Sequence, residues 1–339
     1  MPVMLDFLND VRATGKITRA AERAHMSYRH AWNLVEKWSH FFATPLVERR
    51  QGRGTTLTPF GEKLVWAGQR LQARLGPQLQ NLAQELETDI NQLLPQQAGR
   101  TIRVHASHGF AVPKLRELLA SEPDLNVDFR YVGNPNALTS LANGSCDLAG
   151  MHLPQGPLRR KAIAAYRGQW SPTAHRMVGF VTRELGLMVK RGNPLGITML
   201  QDLLEPTVHF VNRDPDSGTR VLIDQLLDQQ GIDGARINGY ERMEFTHAAV
   251  AAYVASGMAD VCFGVEAAAR QFDLDFIRLV TEDYFFICRK QTLELEPVKR
   301  VLAVMRGSAF DQAISGLPGY TANHPGEIRT VREVFRSSP

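Results

Sequence analysis

Cysteine is scarce in this chain, with three among 339 residues: Cys146, Cys262 and Cys288. They are far apart, each lies in an apolar run, and no Cys-x-x-Cys pair exists, so neither a disulfide framework nor a cysteine zinc site is expected. We expect three buried thiols. No run approaches the roughly 18 uninterrupted apolar residues of a transmembrane helix, and no basic leader precedes Asp6 and Asp10. These absences predict a soluble cytoplasmic protein with no membrane partner.

Catalytic signatures are absent as well. The chain has no Gly-x-Ser-x-Gly, no His-Glu-x-x-His, no phosphate-binding Gly-x-x-x-x-Gly-Lys-Ser/Thr loop and no Gly-x-Gly-x-x-Gly after a strand. Isolated acids such as Asp260 and Glu266 lack an evident partner. We therefore expect no enzyme, no bound metal and no cofactor. With 44% hydrophobic residues, the chain can build cores, and about 100–200 residues per domain indicate two or three domains.

Positive charge is concentrated at the N-terminal end. Residues 1–74 hold 12 Lys and Arg against 6 Asp and Glu, a net +6, whereas the remaining residues hold 27 and 29, a net −2. A basic module on a near-neutral body favours a polyanion partner for that module. A solvated basic face is the alternative interpretation of charge alone.

The first forty residues have the pattern of three short helices. Leu5, Leu8 and Val11 form an apolar stripe that Gly15 ends. We expect Thr18 to cap a second helix, whose small alanines permit close packing, and Ser27 to cap a third. Two helices joined by three or four residues form a helix-turn-helix, whose second helix enters the major groove by its N-terminus. The long polar residues at that end are Tyr28, Arg29, His30 and Asn33.

Two short extended runs around a glycine-rich basic tip follow, from Pro45 to Thr58. This pattern predicts a β-hairpin wing. Arg49, Arg50 and Arg53 would lie against phosphates or the minor groove.

These segments resemble the winged helix-turn-helix of LysR-type regulators. The similarity lies in residues 15–32, Pro45-Leu-Val-Glu-Arg-Arg and Leu57-Thr-Pro-Phe-Gly, and Met26-Ser-Tyr-Arg-His-Ala-Trp is similar to molybdate-responsive ModE regulators. The resemblance implies a double-stranded DNA-binding domain over residues 1–62. The resemblance implies that the recognition helix and the wing contact DNA, with Thr18 beside them. The recognition-helix residues are Ser27, Tyr28, Arg29, His30 and Asn33, and the wing residues are Arg49, Arg50 and Arg53. The wing tip is shorter than in many ModE proteins, so no base preference is transferred.

A long helix with one apolar seam is predicted over residues 63–94. Leucines and Ile90 recur at steps of three and four, and such a seam needs a partner. In LysR-type proteins the equivalent helix pairs with its twin, which implies a homodimer or homotetramer; packing on the chain's own C-terminal domain is the alternative. Gly76-Pro77 predicts a kink or break, and residues 95–100 form a linker.

The C-terminal part contains an internal sequence repeat. Residues 138–150 and 250–264 each show a helix, a capping glycine, an Asp three residues later and a buried strand ending in Gly. Strands alternating with helices indicate parallel α/β architecture. Two longer β-like runs, residues 177–190 and 276–289, lie where the chain would cross between lobes.

This body resembles the type II periplasmic-binding-protein fold, which LysR-type regulators use as their effector domain. The resemblance is to a molybdate-binding-like form of that fold. The predicted fold class is therefore α/β, with an all-α winged-helix N-terminal domain and a two-lobed effector domain over residues 101–339. Lobe I would take residues 101–180 and 286–339, and lobe II residues 181–285. Regulators of this type imply effector sensing without catalysis.

Ligands of open parallel sheets lie beyond the strand ends, near helix N-termini. In lobe I this position selects Ser107, His108, Gly109, Asn134 and His152. In lobe II a strand over 207–211 precedes a helix that opens on Ser-Gly-Thr, whose N–H groups, hydroxyls and dipole suit an oxyanion. The lobe II candidates are Arg213, Asp216, Ser217, Gly218, Thr219, Arg220, Thr246 and His247. An ordinary turn with an N-cap, and a structural His247, are the plainer interpretations.

The resemblance suggests molybdate or tungstate as the small anion, and formate is a competitor because such regulators accompany molybdenum enzymes. A tetrahedral dianion prefers several neutral hydroxyl and N–H donors, whereas a monocarboxylate suits one bidentate arginine. The sequence offers both. Two alternatives stay open: a regulator of another small organic acid, and a ligand-free architectural DNA-binding protein.

Overall fold

The computed structural model describes residues 2–50, 54–93 and 100–336. The N-terminal part comprises α1 Pro2–Thr14, α2 Ile17–Arg23, α3 Tyr28–Phe41, β1 Val47–Arg50, β2 Gly54–Leu57 and α4 Pro59–Leu93. The C-terminal helices are α5 Ala111–Leu119, α6 Asn134–Ala142, α7 Leu158–Ala165, α8 Gly218–Gln229, α9 His247–Ala255, α10 Glu266–Gln271, α11 Glu296–Arg306, α12 Ser308–Ser315 and α13 Val331–Arg336. The C-terminal strands are β3 Ile102–Ala106, β4 Val127–Tyr131, β5 Leu148–Pro154, β6 His175–Val189, β7 Phe210–Arg213, β8 Met243–Glu244, β9 Val261–Val265, β10 Asp275–Arg289, β11 Tyr320–Ala322 and β12 Ile328–Thr330.

The N-terminal part is the predicted trihelix with a wing. Leu8 and Val11 of α1 are fully buried against Ala20 of α2 and Ala31 of α3, because small side chains let the helices approach closely. Strands β1 and β2 pair antiparallel, which confirms the hairpin. The tip of the hairpin, residues 51–53, lies outside the described residues.

The prediction that Thr18 caps α2 is wrong. The helix begins at Ile17, and the extended N-cap residue is Lys16. No described side chain caps this helix, and the Thr14 hydroxyl accepts the Lys16 N–H at 3.4 Å before the helix begins. Thr18 therefore lies inside the helix, with its side chain exposed.

Helix α4 runs for 35 residues and continues through Pro77. Of the predicted kink or break at Gly76-Pro77, the break is therefore wrong. The apolar seam is only partly covered, with each side chain between 42% and 59% exposed: Leu71, Leu75, Leu79, Leu82, Leu86 and Ile90. Its first three leucines line a groove together with residues of α1 and α5. Other faces of α4 pack against α1, α9 and β4 of the same chain.

One ten-stranded sheet organises the C-terminal body, with the order β4-β3-β5-β10-β6-β9-β7-β8 and with β11 and β12 also paired to β6. Pairing is parallel among β3, β4 and β5, and among β7, β8 and β9. The two 15-residue strands β6 and β10 are antiparallel from Asp275 opposite Val189 to Arg289 opposite His175. The crossing runs are confirmed, and both lobes share these strands. The predicted strand over 207–211 is shifted, since β7 starts at Phe210.

The sequence repeat of residues 138–150 and 250–264 is also a structural repeat. After α6 and α9, Gly144 and Gly257 each adopt a φ of +75°, which glycine permits at no steric cost. Asp147 accepts the Arg103 backbone N–H at 2.9 Å, and Asp260 accepts the His209 N–H at 3.0 Å. Each carboxylate thus satisfies a donor at the start of the neighbouring strand.

The three cysteines are buried free thiols, as expected. No helix in the described part of the chain combines the length and apolar character needed to cross a membrane.

Candidate functional site

Two candidate sites exist, one on the winged module and one between the lobes. On the first, the Ser27 hydroxyl accepts the His30 N–H at 3.2 Å and confirms the predicted N-cap of α3. The side chains that follow the cap are exposed: Tyr28, Arg29, His30 and Asn33. An exposed polar N-terminal turn is what a recognition helix presents to base edges.

The wing is fastened to this helix by Arg49. Its guanidinium lies 4.2 Å above the Trp32 ring, and its Nη2 donates to the Tyr28 hydroxyl at 3.0 Å. The Arg49 side chain thus sets the position of the wing relative to the recognition helix. The Arg50 side chain and all of Arg53 lie outside what the structure describes.

The second site is a cavity of about 200 Å³ between the lobes. This is below the 300–1,000 Å³ or so of drug-sized sites and suits a small ligand. Lobe I and the shared strands supply Ser107, His108, Tyr131, Val132, Gly133, His152 and Arg183; lobe II supplies Arg213, Asp214, Asp216, Ser217, Gly218, Thr219, Phe245, Thr246 and His247; α4 supplies Arg74, Pro77, Gln78 and Asn81.

Arg213 is a buried cation whose guanidinium is incompletely paired. It is 7% exposed, and its Nη2 donates to the Phe245 carbonyl at 2.8 Å. Its Nε and Nη1 have no hydrogen-bond partner among the described residues, and the Asp214 carboxylate is 3.8 Å away. Burial lowers the pKa of Arg213 to about 10, so the side chain stays charged at neutral pH. Free donors on a buried cation favour an anionic ligand.

The other buried arginine of the cavity, Arg183, is neutralised. Its Nε and Nη2 both donate to Glu282, at 2.8 and 2.6 Å, across the antiparallel pair β6 and β10. Although burial opposes ionisation, the attraction of Arg183 lowers the pKa of Glu282 to about 2. This pair adds no net charge to the cavity.

Three histidines of the cavity are held neutral. Burial lowers the pKa of His108 and of His152 to about 4, with Arg213 and Arg183 respectively as the second cause. Burial also lowers the pKa of His247 well below its usual value. The Ser107 hydroxyl is 2.6 Å from Nε2 of His152. Neutral imidazoles and hydroxyls serve as hydrogen-bond donors without adding charge.

Helices α8 and α9 begin at the cavity. Ser217 caps α8 by accepting the Thr219 N–H at 3.2 Å, and Thr246 caps α9 by accepting the Ala249 N–H at 2.9 Å. Helix N-termini attract anions through their free N–H groups and the macrodipole. The expected placement of Ser217, Gly218, Thr219 and Thr246 at one site is therefore found.

Two predicted residues are placed elsewhere. The Arg220 guanidinium lies over Tyr240 and is bonded to Asp224 at 3.0 and 3.1 Å, so it does not line the cavity. Gly109 does not line this cavity but a neighbouring groove, and a Cβ atom there would lie 3.7 Å from Nη1 of Arg183. The side chain of the predicted Asn134 lies outside the described part of the structure.

The lobes touch across the cavity at Gly133 and Asp216. A Cβ atom at Gly133 would lie 2.6 Å from the Asp216 carbonyl oxygen. Close approach of two backbones requires glycine at such a point. Sequence reasoning missed this contact, as it missed Arg183 and the residues of α4.

Two family models match this chain. The description "Bacterial regulatory helix-turn-helix protein, lysR family" matches residues 4–62, and "PBP superfamily domain" matches residues 115–306. The second match covers more than half of the chain and ends within the body that contains the cavity.

Individual relatives are similar over parts of the chain. It is 30% identical over 199 residues to the uncharacterized protein YvgK of Bacillus subtilis strain 168, covering 59% of this chain and 64% of YvgK. It is 32% identical over 83 residues to the molybdenum transport protein ModE of Azotobacter vinelandii, covering 23% and 31%. The chain thus spans less than two thirds of the length of either relative.

Among solved structures, a Corynebacterium glutamicum OxyR mutant is similar at 14% identity and a TM-score of 0.46, covering 93% of this chain and 94% of OxyR. The order of the elements follows the two family models, with a helix-turn-helix followed by an α/β body of two lobes. The chain belongs to the PBP superfamily through the domain over residues 115–306, and it carries a lysR-type regulatory helix-turn-helix domain over residues 4–62.

Proposed function

We propose that this protein is a transcriptional regulator that binds double-stranded DNA through residues 1–62, in the cytoplasm, without catalysing a reaction. The exposed first turn of α3 and the wing fixed by Arg49 support this function. Arg29 is our candidate for base contact, with His30 and Asn33 beside it, and Arg50 and Arg53 for the phosphates.

The DNA-binding proposal is tested with the full-length protein on operator and unrelated DNA. Arg29→Ala should cost about 1–3 kcal/mol on operator and less on unrelated DNA if Arg29 contacts a base edge. Arg53→Ala should weaken both and reduce the salt dependence of binding. Wild-type protein without affinity for DNA at low salt would refute the proposal.

We further propose that the apolar seam of α4 pairs with a second copy. A stripe of six half-exposed leucine and isoleucine side chains over about five turns leaves apolar area in water. A two-fold dimer places two recognition helices on half-sites about one or more helical turns apart, and a tetramer uses the same seam within each of its dimers.

The effector that the cavity supports best is a small oxyanion, with molybdate or tungstate first. The observation that carries this proposal is Arg213, a buried cation with free donors in a cavity of about 200 Å³. Around it, neutral imidazoles, serine and threonine hydroxyls and two helix N-termini supply the many donors that suit a tetrahedral dianion. The similarity to a molybdenum transport protein ModE points to the same ligand.

Formate is the second candidate, because Arg213 carries a single charge that a monocarboxylate would match. Titration of the wild-type protein with molybdate, tungstate, sulfate, formate and small dicarboxylates, followed by melting temperature and calorimetry, separates these ligands. A ligand of the native state raises the melting temperature with the logarithm of its concentration above its Kd. Absence of binding by every anion would refute the effector proposal and favour an architectural DNA-binding protein.

A further inference from the structure

Helix α4 crosses the mouth of the anion cavity and is fastened to both lobes. On lobe II, Nε and Nη2 of Arg70 bond the fully buried Glu244 carboxylate at 2.8 and 2.6 Å. On lobe I, the Asn81 amide donates to the Tyr131 carbonyl at 3.0 Å and accepts the Tyr131 N–H at 2.9 Å. The segment between these two attachments lines the cavity.

Pro77 accounts for one hydrogen bond between this segment and lobe II, which the Ala73 carbonyl accepts. In an α-helix the carbonyl of residue 73 accepts the N–H of residue 77, but proline has no N–H. The Ala73 carbonyl is therefore free of its intrahelical donor, and it accepts the Thr246 hydroxyl at 2.9 Å instead. Because of the proline, the Ala73 carbonyl of α4 can accept a hydrogen bond from lobe II.

Thr246 joins this contact to the anion site. Its oxygen accepts the Ala249 N–H at the start of α9, while its single proton goes to Ala73. Thr246 also lines the cavity. A hydroxyl has one proton to donate, so in this arrangement Thr246 positions α4 against α9 and leaves ligand contact to its neighbours.

Arg74 brings charge from α4 to the same place. It lines the cavity, its Nε is 3.8 Å from the Glu244 carboxylate, and its guanidinium lies 5.5 Å from the Phe245 ring centroid. An anion in the cavity would attract Arg74 and so favour the docked position of the helix.

We propose that α4 is a moving wall of the effector site, and that the contact between Ala73 and Thr246, which Pro77 makes available, couples anion binding to the helix that carries the seam. This inference rests on the proposed anion binding. A ligand shifts such an equilibrium only through contacts that differ between its two states, and those contacts are the ones made by residues 70–81 of α4.

The coupling is tested by hydrogen–deuterium exchange and calorimetry on the full-length protein with molybdate, and with formate in parallel. In the wild type, saturating anion should slow amide exchange over residues 70–85 by about fivefold or more. Pro77→Ala restores the N–H that bonds Ala73 within the helix. This variant should lose the slowing over α4 and bind the anion about fivefold or more weakly, because coupling is reciprocal. Gln80→Ala, on an exposed position of α4, should behave as wild type.

The outcomes distinguish this inference from the proposed function. If the wild type binds an anion but exchange over α4 does not change, the coupling is refuted and the anion site stands. The same holds if Pro77→Ala matches the wild type in exchange and affinity. If no anion binds the wild-type protein, the effector proposal fails and the coupling fails with it.

Discussion

Substitution of Gly133 by alanine tests whether the lobes must close to hold a ligand. The new Cβ would lie 2.6 Å from the Asp216 carbonyl oxygen, against about 3.4 Å for an ordinary contact, so the lobes must separate by a good part of an ångström at that point. Both clashing groups belong to backbone or Cβ, and neither has a rotamer through which to escape. The clash exists in the closed arrangement alone, because Gly133 and Asp216 belong to different lobes.

The cost of such overpacking is about 1–3 kcal/mol, which corresponds to an anion affinity about five to 150 times weaker. Gly133 is also the N-cap of α6, with φ −67° and ψ 159°, and alanine caps less well than glycine. The matched control is Gly307→Ala, because Gly307 is the N-cap of α12 with φ −73° and ψ 149° and does not line the cavity. Both variants should lose a similar, small amount of stability without ligand.

Calorimetric titration with molybdate and with formate measures the difference. We expect Gly307→Ala to bind with wild-type affinity and Gly133→Ala to bind weakly. Equal affinities for the two glycine variants would show that the contact at Gly133 and Asp216 does not accompany ligand binding, and the closure argument would be refuted.

Four further predictions follow from the two sites. Arg213→Met should abolish the anion-induced rise in melting temperature while changing the stability of the free protein by less than about 1 kcal/mol, since an incompletely paired buried cation stabilises little. Leu79→Asp should convert the oligomer to a single chain in light scattering, and an unchanged mass would refute pairing through the seam. The pKa of His152 is lowered to about 4 in the folded protein from the usual 6.5, so its contribution to stability is complete above pH 6.5 and is lost as the pH falls towards 4. The loss is on the order of 2 kcal/mol at pH 5. Thermal unfolding of His152→Gln should therefore show a flatter pH dependence than that of the wild type. Arg49→Lys should weaken operator binding by about 1 kcal/mol, because lysine loses the planar stack on Trp32, and unchanged binding in a mobility-shift assay would contradict that role.

Local patterns predicted the winged module well, because its elements are determined by neighbouring residues. The apolar stripe of α1, the Ser27 cap and the hairpin all depend on contacts within a few residues. The predicted cap at Thr18 was wrong by two positions. The helix begins at Ile17, and its extended N-cap residue is Lys16, whose side chain makes no capping hydrogen bond.

The lobe II part of the cavity was also predictable. Ser217, Gly218 and Thr219 follow a strand and start a helix, and topology alone brings such residues to the ligand side of a parallel sheet. Arg220 was indistinguishable from Arg213 in sequence, since both flank the same turn. The difference depends on helical geometry, because Asp224 lies one turn after Arg220 and bonds it.

The neutralised pair of Arg183 and Glu282 could not be predicted by that reasoning, because both residues lie within the crossing strands and not at a strand end. A signal was present in the alternation of β6, where Arg183 occupies a buried position between Thr182 and Glu184. A charged residue at an inward position of a strand predicts a partner on the neighbouring strand. The register that brings Glu282 opposite Arg183 comes from pairing across 99 residues, which single-sequence patterns do not encode.

The placement of α4 over the cavity also depends on long-range contacts. One residue, Pro77, bears on it directly. A proline inside a long helix always releases one carbonyl, four residues earlier, and in a buried or half-buried helix that carbonyl needs another donor. Sequence reasoning expected a kink or break at Pro77 and did not draw this consequence, which follows once the helix continues through the proline. The donor is a threonine 173 positions later, at the end of lobe II that faces the anion cavity. Because the same helix presents its apolar seam on another face, a small displacement of residues 70–81 moves both the cavity wall and the surface through which a second copy would pair.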